Sequence, residues 1–218
     1  GEENRVGGTL QVGIDQATAY MSYNVVGGNL TVGSGENSNA EDLHIGYRPT
    51  TSGDTSTLTM GTLDLTGTDS FTAKVNNVLL GVVTGSGASG GAKGNLLIGT
   101  NSSIVAGNQM LISDSTGSGN NSEDGSRIAF GSGQNDVITP LFTVGGRKGT
   151  GFVTIESGGT LSIAGFAQGA SDLFIGRNNT GGTGTIASGT VDLRGGTFIA
   201  DLDELVLGHK SGTGGSNG

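Results

Sequence analysis

Cysteine and tryptophan are missing from this chain altogether. The first absence excludes a disulfide framework and thiolate metal sites. The second, with only 7 Phe and 3 Tyr and a hydrophobic fraction of 33%, leaves too few large side chains to fill a wide globular core. Basic residues are scarce: 10 Lys and Arg against 19 Asp and Glu give a net charge of −9 and a pI near 4.4. That balance argues against nucleic acid or an anionic membrane surface as partner. No apolar run approaches the roughly 18 to 20 residues needed to span a bilayer. No secretory signal is visible, but the first residue is Gly rather than Met. This reads as a processed or excised segment, so the missing signal carries no weight.

What the chain has in excess is glycine, 45 of 218 residues. Gly, Ser, Asn and Thr enrichment is the usual signature of disorder. Disorder, however, has no reason to repeat one unit at a fixed interval. The anchor Leu173-Phe174-Ile175-Gly176 recurs as Leu205-Val206-Leu207-Gly208, Phe142-Thr143-Val144-Gly145, Met110-Leu111-Ile112-Ser113, Val78-Leu79-Leu80-Gly81, Leu43-His44-Ile45-Gly46 and Leu10-Gln11-Val12-Gly13. Each copy is two apolar residues flanking a variable one, closed by Gly in six copies and Ser in one. The closing residues stand at 13, 46, 81, 113, 145, 176 and 208, steps of 31 to 35. Self-similarity at this period is the mark of a repeat architecture.

A second register runs through Leu30, Leu63, Leu96, Ile128, Leu161 and Val191, and a fainter third through Phe71, Ile104, Ile138, Phe166 and Phe198. Three phases with one period imply about three short strands per repeat. The apolar-x-apolar alternation is that of a strand with one buried face, and no helical spacing accompanies it. Gly27-Gly28, Gly158-Gly159 and Gly195-Gly196 sit just before strands and read as corners. Polar stretches after the anchors, Val82 to Gly94, Asp114 to Gly125 and Arg177 to Gly184, read as outward loops that absorb changes in repeat length.

The fold expected is therefore all-β: a single-stranded β-solenoid (parallel β-helix) with about 32 residues and about three short strands per coil. It occupies residues 1–218, six full coils from about Leu10 plus a partial seventh. A lone coil leaves its backbone donors and acceptors unpaired; stacking satisfies them above and below. At about 4.8 Å per coil the segment makes a rod about 30 Å long. Neither end carries a polar cap, and the Ser211–Gly218 tail matches a post-anchor loop, so the chain reads as a slice of a longer repeat protein.

Gly7-Gly8-Thr9-Leu10-Gln11-Val12, Gly28-Asn29-Leu30-Thr31-Val32 and Gly158-Gly159-Thr160-Leu161-Ser162-Ile163 share a Gly-Gly-Thr/Asn-Leu-x-Val/Ile unit. With the run from Leu173 to Ile186, these motifs resemble the β-solenoid passenger repeats of bacterial autotransporter-type and related large surface (adhesin-like) proteins. The resemblance covers nearly the whole chain and implies export, display at the cell surface and an adhesive or structural role. It brings no active site with it. The Met110 to Pro140 repeat departs most, with Ser113 for Gly and the acidic pair Glu123-Asp124.

No catalytic, cofactor-binding or metal-ligating residue is assigned, and no cofactor is expected. The only histidines, His44 and His209, fall at positions expected to face solvent, five coils apart. Asp201, Asp203 and Glu204 cluster on what reads as a solvated edge rather than in the cleft that acid–base catalysis needs. The residues before the anchors, Thr9, Asp42, Asn77, Gln109, Leu141, Asp172 and Glu204, predict a polar row on a flat face. A calcium ladder is the sharper alternative, but the nine-residue calcium-loading pattern is absent. Arg48, Arg147, Arg177 and Lys210 fall after anchors and predict a loose basic line on the loop edge. A polysaccharide-active β-helix enzyme would gather Asp, Arg and Lys on one face, whereas the basic residues here are scattered. An ice-binding solenoid would repeat Thr55-Ser56-Thr57-Leu58-Thr59, and the span at Phe152-Val153-Thr154-Ile155 does not. Asn29, Asn101, Asn120 and Asn178 head glycosylation sequons. Expected partners are neighbouring solenoid segments or copies end to end, and glycans or a host surface.

Overall fold

Alternating apolar triplets punctuated by glycine leave no helical face, and every regular element among the described residues is a strand. The computed structural model describes residues 3–34, 40–49, 57–85, 90–116, 125–166, 169–179, 186–211 and 215–217. The first repeat supplies β1 (Glu3–Val6), β2 (Leu10–Ile14) and β3 (Thr18–Ser22). The second supplies β4 (Asn29–Val32), β5 (Asp42–Arg48) and β6 (Thr59–Asp64). In the third and fourth, two strands fuse into one: β7 (Ser70–Val83) is followed by β8 (Ala92–Leu97), and β9 (Asn101–Ser115) by β10 (Ser126–Phe130). The fifth has β11 (Gln134–Ile138), β12 (Leu141–Gly146) and β13 (Thr150–Ile155). The sixth has β14 (Thr160–Ala164), β15 (Ser171–Asn178) and β16 (Ile186–Asp192), and the last β17 (Thr197–Ala200), β18 (Leu202–Lys210) and β19 (Gly215–Asn217).

All recorded pairings are parallel, and each strand bonds to its counterpart in the next repeat. One row runs β1-β4-β7-β9-β11-β14-β17, and a second runs through β2, β5, β7, β9, β12, β15 and β18. The long strands β7 and β9 join these two rows into one sheet. A separate seven-stranded sheet runs β3-β6-β8-β10-β13-β16-β19. The apolar residues of both sheets meet in one buried cluster, which includes Val12, Ile45 and Leu80 of the first and Leu63, Leu96 and Ile128 of the second.

The anchors align as expected. Val12 faces Ile45, Ile45 faces Leu80, and the line continues through Ile112, Val144 and Ile175 to Leu207. From Val12 to Ile175 these side chains are buried in one hydrophobic cluster. Leu207, in the last row with a strand on one side only, is 62% exposed. The closing residues share one backbone conformation: φ is 69° at Gly13, 63° at Gly46 and Gly81, 69° at Gly145, 70° at Gly176 and 66° at Gly208. Ser113 adopts it too, at φ 63°. A Cβ at Gly145 would overlap the Ser188 carbonyl oxygen, whereas Ser113 stands against Gly149, just before β13, where a Cβ would run into the Ser113 carbonyl and hydroxyl oxygens. The corners at Gly27, Gly158 and Gly195 also take positive φ, as their position before strands predicts.

The second and third registers are sorted differently from the sequence reading. Leu30 and Leu161 belong to β4 and β14, not to the sheet that carries Leu63, Leu96, Ile128 and Val191. The true partners in that sheet are Met21, opposite Leu63, and Val153, between Ile128 and Val191. Phe71 faces Ser102, while Ile104 faces Ala73 and Val137, leaving Ile138 partly exposed. Phe166 lies outside any strand and is exposed, whereas Phe198 pairs with Leu161. Loops of unequal length separate the rows, so equal sequence spacing does not guarantee the same row.

One line in the first sheet interrupts its apolar content. Leu30, Phe71, Ser102, Asn135, Leu161 and Phe198 stand in register, and both polar members are buried. They satisfy each other: Ser102 donates to Asn135 Oδ1 at 2.9 Å, and the Asn135 amide donates to the carbonyls of Gly131, Gly133 and Thr160. A buried amide whose oxygen and nitrogen both find partners does not carry the penalty of an orphaned one.

Candidate functional site

The outer surface of the anchor row gathers the side chains with the most chemistry. Strand alternation turns the flanking residues of each anchor inward and the variable residue outward. The residues before the anchors do form the predicted row: Asp42 faces Asn77, Asn77 faces Gln109, Leu141 faces Asp172, and Asp172 faces Glu204. They are linked along the stack, since the Asn77 backbone and side-chain amides both donate to Asp42 Oδ1, at 2.9 and 2.8 Å. The Asp42 amide in turn donates to Thr9 Oγ1 at 3.0 Å.

Five of the seven variable residues beside that row are closed to solvent. Gln11, His44, Leu79, Leu111, Thr143 and Phe174 follow one another in register. All but Gln11 are buried. The expectation that His44 faces solvent is therefore overturned: it is 7% exposed, its ring centroid lies 4.2 Å from that of Tyr47, its Nε2 stands 3.4 Å from Asp42 Oδ2, and its Nδ1 is 3.3 Å from the Gln11 amide. Burial pulls its imidazole below the ordinary histidine value, and the Asp42 carboxylate opposes that in part. Leu79, Leu111, Val82 and the partly buried Tyr47 form a second, smaller apolar cluster outside the main core. Three of the seven variable positions being Leu79, Leu111 and Phe174 is the signal that could have shown this side to be covered. His209 is exposed in β18, far along the stack from His44.

The predicted basic line does not form. Arg48 is 1% exposed, turned into the protein, and it donates to the Thr57 carbonyl. Arg147 is engaged by Asp114: Nε donates to Oδ1 at 2.6 Å, and a terminal nitrogen reaches Oδ2. This fork-to-carboxylate geometry ties the fourth repeat to the fifth and was missed in the sequence, although Asp114 and Arg147 are one repeat apart. Arg177 lies with its guanidinium 4.0 Å from the centre of the Phe174 ring. Among the described residues it has neither an ion pair nor a side-chain hydrogen bond. Lys210 is exposed at the end of β18.

Leu79, Leu111, Gln109, Thr143, Arg147 and Arg177 are among the residues lining a cavity of about 240 Å³ on this surface. A second hollow, of about 380 Å³ on the other sheet, is bounded by Lys93, Asn95, Arg127, Phe152 and Thr154. Elsewhere, a three-pronged grip from Arg194 holds the partly exposed Asp192 carboxyl down at about 2. Asp201, Asp203 and Glu204 are exposed at the start of β18. Among the described residues no group of three or more His, Asp or Glu side chains gathers as a metal site. Of the sequons, Asn101 is exposed, Asn29 is half-buried and accepts from Ser70, and Asn178 is fully buried. Asn120, the Glu123-Asp124 pair, Thr55 and Ser56 lie outside the described residues. Searches against protein-family models, curated proteins and solved structures return no match to the chain.

Proposed function

We propose that the chain is a β-solenoid, a parallel β-helix of about 32 residues per coil, that serves as a rigid spacer or fibre segment on a cell surface. The observation that carries this reading is the unbroken line from Val12 to Leu207, in which each repeat pairs in parallel with the next. Such a stack gains length by adding repeats and resists bending because every coil is bonded to two neighbours. The likeness of its Gly-Gly-Thr-Leu-x-Val units to autotransporter-type passenger repeats supports an exported, surface-displayed setting. Adhesive contacts come from the outer face of the anchor row, and further solenoid, whether of the same chain or of another copy, would pair in parallel as each repeat pairs with the next.

Small-angle scattering tests the spacer role. Two copies joined in period should lengthen the particle by about 30 Å, the height of seven stacked strands. A fusion that scatters as two beads on a flexible string would refute it.

A further inference from the structure

The geometry points to the cavity over β7, β9, β12 and β15 as a binding site for an acidic, N-acylated sugar. It deepens the adhesive part of the reading above and rests on it, but not on the spacer role. The floor is aliphatic: Leu79 and Leu111 are outward-facing residues of a sheet whose alternation would ordinarily place polar groups there, and both are almost closed to solvent. An aliphatic floor this small suits a methyl or acyl group rather than a protein partner.

The charge at the rim is opposite to that of the chain. Asp114, Arg147 and Arg177 line the cavity and sum to one positive charge, in a protein of net charge −9. The carboxylate of Asp114 holds Arg147 in place, so that guanidinium is already neutralised. Arg177 supplies the surplus charge. Its face rests on Phe174, which fixes the plane and leaves the N–H edge for a planar acceptor. A guanidinium fork of this kind fits a carboxylate through two parallel hydrogen bonds. Between floor and fork, Gln109 and Thr143 offer an amide and a hydroxyl for sugar hydroxyls. Leu111 and Arg177 stand two rows apart, about 10 Å along the stack. That is the reach of one sugar bearing an acyl group at one end and a carboxylate at the other.

Titration calorimetry of the whole chain with N-acetylneuraminic acid tests the assignment, with glucuronic acid, N-acetylglucosamine and inorganic phosphate as comparators. Saturable binding is expected for the acylated acid, weaker by about tenfold or more for each comparator. Arg177→Gln should weaken it at least tenfold, and Arg177→Lys, which keeps the charge but loses the fork, should not restore it. Arg194→Gln, remote from the cavity, should bind as the parent does. Circular dichroism checks that each variant remains folded. No saturable binding, equal binding of phosphate, or indifference to Arg177→Gln would overturn the site, and the scattering of the tandem fusion would be unaffected by any of these results.

Discussion

Arg147 holds Asp114, the residue 33 positions before it, by two nearly parallel hydrogen bonds, and so fastens one repeat to the next from outside the core. The Asp114 side chain is only 7% exposed, so removing Arg147 takes the guanidinium fork from a carboxylate that water scarcely reaches. Arg147→Met is expected to lower stability by about 1–3 kcal/mol, less than breaking a fully buried pair costs, because Arg147 itself is partly solvated. Urea unfolding measures this, and an unchanged midpoint would contradict it.

The interior line of anchors sets a second expectation. Leu80 is fully buried between Ile45 and Ile112, and Leu80→Ala should cost about 2–5 kcal/mol through lost burial and the cavity left behind. Leu207 occupies the same line in the last row and is largely exposed, so Leu207→Ala should cost less than about 1 kcal/mol. Comparable losses at the two positions would mean that burial does not govern this line.

Two glycines with positive φ separate backbone strain from steric overlap. At Gly195 a Cβ would meet only ordinary contacts, so Gly195→Ala should carry the left-handed penalty alone, about 1–2 kcal/mol. At Gly145 the same atom runs into the Ser188 carbonyl oxygen, and Gly145→Ala should destabilise by well over that amount. Thermal unfolding of the two variants side by side gives the order, and the reverse order would be inconsistent with the close approach at Gly145.

Stability should also depend on pH through His44. Its folded-state pKa lies below the value of about 6.5 that it takes in an unfolded chain. As pH falls through that value, the unfolded chain binds a proton that the folded protein refuses, so stability drops until pH passes the folded value. Above about 6.5 this loss is absent. His44→Gln should flatten the difference in unfolding free energy between pH 8 and pH 5.5. An unchanged slope in that variant would assign the acid sensitivity elsewhere.

The anchor row was legible in the sequence because its two inward residues are followed by a backbone conformation that selects glycine, which marks each copy in the same place. The opposite sheet carried no such mark. Met21, Leu63, Leu96, Ile128, Val153 and Val191 share a line, but the connections between them differ in length, so only part of the line showed a constant interval. The outward side of the anchors was misread for a different reason. Alternation says which way a side chain leaves the sheet, not whether other side chains then close over it, as Tyr47 and Val82 do beside Leu79 and Leu111. The Asp114–Arg147 pair was hidden because its two members look like ordinary loop polarity until the register sets them one above the other.

The in-register lines also bear on how such a chain changes over generations. Ile112 and Val144 stand one step apart on the same line and meet near-equivalent surroundings above and below. Excision or duplication of a stretch between two such points therefore rejoins like to like, and the seam resembles any other step in the stack. Unequal recombination within the gene becomes a tolerated event, and copy number can drift under selection for reach without any new interface having to be invented.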